Sequence, residues 1–218
     1  MVDADIEFQR QVVNLVGLGY PALAGMGATE FRDLVEPLRV TARSVDAQRA
    51  GGSAYHVGFV IVVARELVAP EVSVPLLTLP GKKKGGVVDR NYKQGELARF
   101  VPLEDLPITS AAYLIVDVER GEEFCDVKPV DATATIKARG RTPLTIEEGI
   151  ALATHFPDAL EKNKCFMLAG SRCGDKRVPA LWISENAPKL GWCWNGNPHT
   201  WLGTASCGSR VTARTSGT

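Results

Sequence analysis

The order of apolar patterns along this 218-residue chain predicts an α+β fold, an N-terminal helical hairpin packed on a mostly antiparallel, mixed sheet with short helices. Two observations carry that expectation. Sustained helical periodicity is concentrated near the N-terminus, and the later strand-like runs follow one another without the regular strand-helix alternation of a parallel sheet.

Residues 5–17 set Ile6, Val12, Val13, Leu15 and Val16 at helical spacing, and Gly17 and Gly19 end the run. Gly19-Tyr20-Pro21 predicts a turn, because proline cannot continue a helix. A second helix is expected from Thr29, whose hydroxyl can cap the following amides, with Phe31, Leu34, Val35 and Leu38 along one face. The polar stretch 41–53 reads as a linker or loop. Residues 55–64 are apolar with almost no alternation, as in a strand buried on both faces. Residues 72–79 read as another strand, with Pro75 marking an edge or bulge. Residues 101–108 are extended and irregular, and 111–119 form a further strand.

Asp131 is the expected cap of a helix reaching Arg139, stopped by Gly140 in the left-handed position. Thr145 and Glu148 fit a capping box that opens a helix to about Thr154. Residues 164–171 and 177–184 read as the arms of a hairpin around Cys173-Gly174-Asp175-Lys176. Small polar residues over 209–218 predict a flexible tail. The expected organisation is a helical hairpin over 1–40, an α+β body over 54–208 and that tail, as one cooperative unit.

Lysine plus arginine and aspartate plus glutamate each number 25, so net charge is zero and no global attraction to nucleic acid or anionic lipid is expected. The longest apolar run is far too short to span a bilayer, and the acidic N-terminus lacks the pattern of a secretion signal. Five cysteines, an odd number, fit reduced thiols and a cytoplasmic location. No cofactor motif is recognised: Lys82, Lys83 and Lys84 precede the second glycine of their loop and no hydroxyl follows, unlike a phosphate-binding loop.

All four tryptophans and four of the five cysteines lie after residue 164. Trp192, Trp194 and Trp201, interleaved with Asn195, Asn197 and His199, could wall a pocket for a small molecule or present a surface to a protein partner; the plainer alternative is a lid on the core. Cys193 and His199, six residues apart, are the candidate nucleophile and base of an enzyme alternative. A third alternative is a zinc-stabilised module drawing on Cys165, Cys173, Cys193, His199 and Cys207. Their long gaps lack the close ligand pairs of zinc sites, so no metal site is assigned. Asp117, Glu119, Glu122, Glu123 and Asp126 could bind a hard cation, although a solvated loop is the ordinary reading. His155, at a helix C-terminus, reads as a cation favoured by the dipole.

The stretches Leu18 to Gly25, Val116 to Gly121, Gly140 to Thr145 with Glu148-Gly149, Arg177 to Ser184, and Leu190 to Cys207 resemble a family of uncharacterised, mainly actinobacterial proteins known only as a domain of unknown function. The resemblance spans nearly the whole chain and implies a cytoplasmic bacterial protein. It supplies no catalytic residues.

Overall fold

The computed structural model describes residues 3–45, 55–106 and 110–213. Seven helices run as α1 (Ala4–Gly17), α2 (Tyr20–Leu23), α3 (Ala28–Val35), α4 (Leu38–Ser44), α5 (Pro70–Ser73), α6 (Pro129–Ala138) and α7 (Ile146–His155). The strands are β1 (His56–Val63), β2 (Val87–Val88), β3 (Val101–Pro102), β4 (Ala112–Glu119), β5 (Thr142–Pro143), β6 (Cys165–Met167), β7 (Ser171–Arg172), β8 (Arg177–Ser184), β9 (Ala187–Trp194), β10 (Leu202–Thr204) and β11 (Ser206–Val211). They form a sheet in the order β1-β4-β11-β5, a second in the order β10-β6-β8-β9-β2, and the pair β3-β7. Most pairings are antiparallel, while β10-β6 and β2-β9 are parallel. The fold is therefore α+β.

The N-terminal helices close on one face of the first sheet, where Phe8, Val12, Phe31, Val35 and Leu38 pack with Phe59, Ile61 and Leu114. Pro37 divides the expected second helix into α3 and α4, and Gly27 rather than Thr29 stands at its start. Side chains of α1 also serve the backbone they cover: Asn14 donates to the Thr154 carbonyl and Arg10 to that of His155, satisfying the open end of α7. Most of the polar stretch 41–53 lies outside the described residues.

The capping box is present: Thr145 Oγ1 accepts from the Glu148 amide, and Glu148 Oε2 accepts from the Thr145 amide at 2.8 Å. Every residue of α7 is buried, which places this box inside the core rather than on a surface helix. His155 differs from expectation. Burial, assisted by the nearby Arg10 charge, holds its pKa down to about 3, so it is neutral and hydrogen-bonds the Ile61 carbonyl at 3.2 Å.

The strand expected over 72–79 does not form: residues 72–76 are helical and 77–79 belong to neither helix nor strand. Pro70 occupies the first turn of α5, and a 3-10 turn over Val74–Leu76 continues it, so Pro75 sits where its missing amide leaves no gap. At the other end, β11 continues past Gly208 through Val211 and lies between β4 and β5 in its sheet, so the expectation of fraying from 209 does not hold for Ser209, Arg210 and Val211. What fixes them is Arg210, whose guanidinium reaches Glu148 at 2.6 and 2.7 Å. Glu148 also accepts from the Tyr113 hydroxyl.

Two strands change face at a single row that a third shares. Asp117 has φ 56° in mid-strand, and the registers place it opposite Gly58 of β1 and Gly208 of β11. On one side of the row Val57, Val118 and Cys207 enter the main core. Beyond it the same core takes Val60, Val62, Tyr113 and Ile115, while Phe59, Ile61 and Leu114 face the helices. The alternation therefore slips by one in β1 and β4. Gly208 leaves room for the Asp117 side chain, since a Cβ there would stand 2.8 Å from its Oδ2.

Candidate functional site

β8 and β9 form a hairpin whose turn, Glu185-Asn186, has two consecutive residues at positive φ, matching the twist of the strands it joins. Its register decides where the indoles go. Arg177 opposes Trp194 and Pro179 opposes Trp192, which puts these four on one face. Val178 opposes Cys193, Ala180 opposes Gly191 and Trp182 opposes Lys189, which puts Trp182 and Cys193 on the other.

The four tryptophans consequently form two pairs. Trp192 and Trp194 meet edge to face at 4.9 Å, with the Arg177 guanidinium over the Trp192 ring and Trp194 left 48% exposed. Trp182 and Trp201 meet at 6.1 Å with their planes 76° apart, and His199 lies 5.6 Å from Trp201. Trp182 reaches across Gly191, where any Cβ would collide with its ring. The single aromatic pocket expected from Trp192, Trp194 and Trp201 is not assembled.

An open groove of about 620 Å³ does form at the second pair, between Trp182 and Trp201. Cys165 and Ile183 complete its apolar wall, and Lys162, Asn163 and Asn186 supply its polar rim. Both asparagines occupy tight turns at positive φ, 65° for Asn163 and 60° for Asn186, a conformation their short side chains tolerate. The parallel pairing of β10 with β6 delivers Trp201 to this place, because Cys165 donates its amide to the Trp201 carbonyl. The tail and the 164–184 segment line one hollow, and of the expected ligand residues only Trp201 lines it.

The remaining tail residues have other surroundings. The Asn195 carbonyl accepts from the Val130 amide in the first turn of α6, and the His199 carbonyl accepts from the Asp126 amide, so the loop is clamped to that helix start. Among the described residues, Trp192 Nε1, Asn195 Oδ1 and His199 Nε2 are sealed from solvent without a hydrogen-bond partner. Asn197 is exposed. Trp182, Lys162, Asn163 and Asn186 were not among the expected site residues; the one available signal was Glu185-Asn186 between two strand-like runs.

Cys193 and His199 are not joined. The Cys193 thiol donates to Met167 Sδ at 3.2 Å in the core, and burial pushes its pKa up to about 12, opposite to what a nucleophile needs. Burial likewise raises Cys165 and Cys207 to about 11. Among the described residues no three His, Cys, Asp or Glu side chains converge as metal ligands, so neither the zinc nor the hard-cation arrangement is formed. Four of the acidic residues have basic partners instead: Glu122 with Arg120, Glu123 with Arg139, Glu119 with Arg141, and Asp117 with both His56 and Arg141. Burial opposes the Asp117 charge, yet its bonds from His56 and Arg141 prevail and hold its carboxyl below the ordinary range.

The model of a protein family described only as of unknown function matches residues 14–213. No curated protein and no solved structure matches the chain.

Proposed function

The chain belongs to this family of unknown function, DUF5701, and we propose from its geometry that it is a small-molecule-binding protein whose site is the groove between Trp182 and Trp201. One observation carries the reading. Two indoles from separate segments converge edge to face on an open hollow whose volume suits a small ligand, with amides at its rim. Five free cysteines suit a reducing compartment, which supports a cytoplasmic setting, and the family resemblance supports a bacterial one.

A screen of nucleobases, aromatic acids and sugars by intrinsic tryptophan fluorescence tests the reading. A ligand that perturbs the wild type is expected to lose its effect in Trp182→Ala and Trp201→Ala and to keep it in Trp194→Ala. Dependence on Trp194 alone would sink the groove and favour the second reading, a protein partner docking on Trp194. That reading rests on the exposure of this large ring beside Trp192. The enzyme alternative retains no activated thiol at Cys193.

A further inference from the structure

We infer that the groove takes a planar ring carrying an anionic group, a carboxylate or a phosphate; this rests on the groove being the binding site. Charge balance around the rim is the ground. Among the described residues Lys162 has no carboxylate partner, although two acids stand close in sequence to the rim residues. Glu161 is held by Arg120 and Lys164, each at 3.4 Å, and Glu185 is held by Lys84 at 3.1 Å. The rim therefore offers one uncompensated ammonium and no lining carboxylate. An exposed lysine of this kind serves an anion as a point charge, the less structured counterpart of an arginine fork.

The ring preference comes from the walls. Trp182 and Trp201 stand nearly perpendicular, so a flat ring lying on one indole presents its edge to the other. Asn163 and Asn186 can both donate and accept, which suits heteroatoms at a ring edge. A flexible aliphatic acid would use the lysine but neither indole face.

Isothermal titration with matched acid and neutral probes decides the matter: indole-3-acetate against indole-3-acetamide, benzoate against benzamide, and adenosine monophosphate against adenosine. At least one acid is expected to bind several-fold more tightly than its neutral partner. The advantage is expected to shrink in about 0.5 M salt, where exposed charges are screened within a few ångströms, and to vanish in Lys162→Gln, a change at an exposed position. Equal affinities within every pair, or an advantage untouched by Lys162→Gln, would overturn the ligand class while leaving the groove in place, provided binding is still lost in Trp182→Ala and Trp201→Ala. An aliphatic acid such as hexanoate binding as well as the ring acids would overturn the ring requirement. Absence of binding by all six ring probes would count against both the class and the groove.

Discussion

Gln11 completes the edge of β1 as a neighbouring strand would: its Oε1 accepts the Ile61 amide at 2.8 Å while its Nε2 donates to the Phe59 carbonyl at 3.1 Å. The side chain is fully buried. A helix thereby protects an edge strand whose open amides and carbonyls would otherwise invite pairing with another chain. Replacing Gln11 with Leu keeps the bulk but leaves two buried backbone groups unpaired. The expected loss is about 2–3 kcal/mol in urea unfolding, and a variant as stable as wild type would show the amide to be incidental.

Arg210 tests whether the end of β11 belongs to the fold. Arg210→Met strands the fully buried Glu148 without its cation, and the expected destabilisation is about 3 kcal/mol. The double variant Glu148→Gln with Arg210→Met is expected to recover part of that loss. If the double variant is no better than the single one, the ion pair is not the source of the effect.

The thiols differ in their expected rates of labelling. Cys193, Cys165 and Cys207 are buried with raised pKa values, whereas Cys125 and Cys173 are partly exposed. Mass spectrometry after iodoacetamide at neutral pH is expected to find Cys125 and Cys173 modified well before the other three. Because the folded pKa values of the buried thiols exceed the unfolded ones, their contribution to stability is complete below about pH 8.5 and falls as pH rises toward 11–12. Rapid labelling of Cys193 would revive it as a nucleophile.

His155 sets the acid side. Its folded pKa of about 3 lies below the unfolded value of 6.5, so the unfolded chain binds the extra proton and stability drops as pH falls from 6.5 toward 3. Between pH 6.5 and 5 this residue alone is expected to remove about 1.6 kcal/mol. Unfolding curves of wild type and His155→Gln at the two pH values check it: the difference between the two proteins should narrow on acidification.

Gly191→Ala probes the groove from behind. The new methyl collides with the Trp182 ring, so Trp182 must leave its present place against Trp201. A shift in tryptophan emission together with loss of ligand response is expected. An unchanged spectrum would mean that Trp182 is not held where the groove needs it.

What could be read in advance was what depends on near neighbours in the chain. Thr145 and Glu148 announce their cap because both partners lie within one helical turn, and the run around Val57–Val63 announces a strand buried on both faces. Val72 to Leu79 misled because a single helical turn opened by Pro70 is too short to show a period, while its valines mimic a strand. The groove was harder still. Trp182 and Trp201 meet only through the register of β8 on β9 and the parallel addition of β10 to β6, neither of which local spacing encodes. Trp192 and Trp194 were grouped with Trp201 by proximity in sequence, and the pleat then sent them to the opposite face.

The slip in pleat at Asp117 ties two distant parts of the gene together. A larger residue at position 208 crowds the aspartate, and a β-branched residue at 117 resists the left-handed backbone that the crossover demands. A side chain at 208 is tolerable only alongside a change at 117, so across descendants of this sequence the two positions are bound to drift together or stay put.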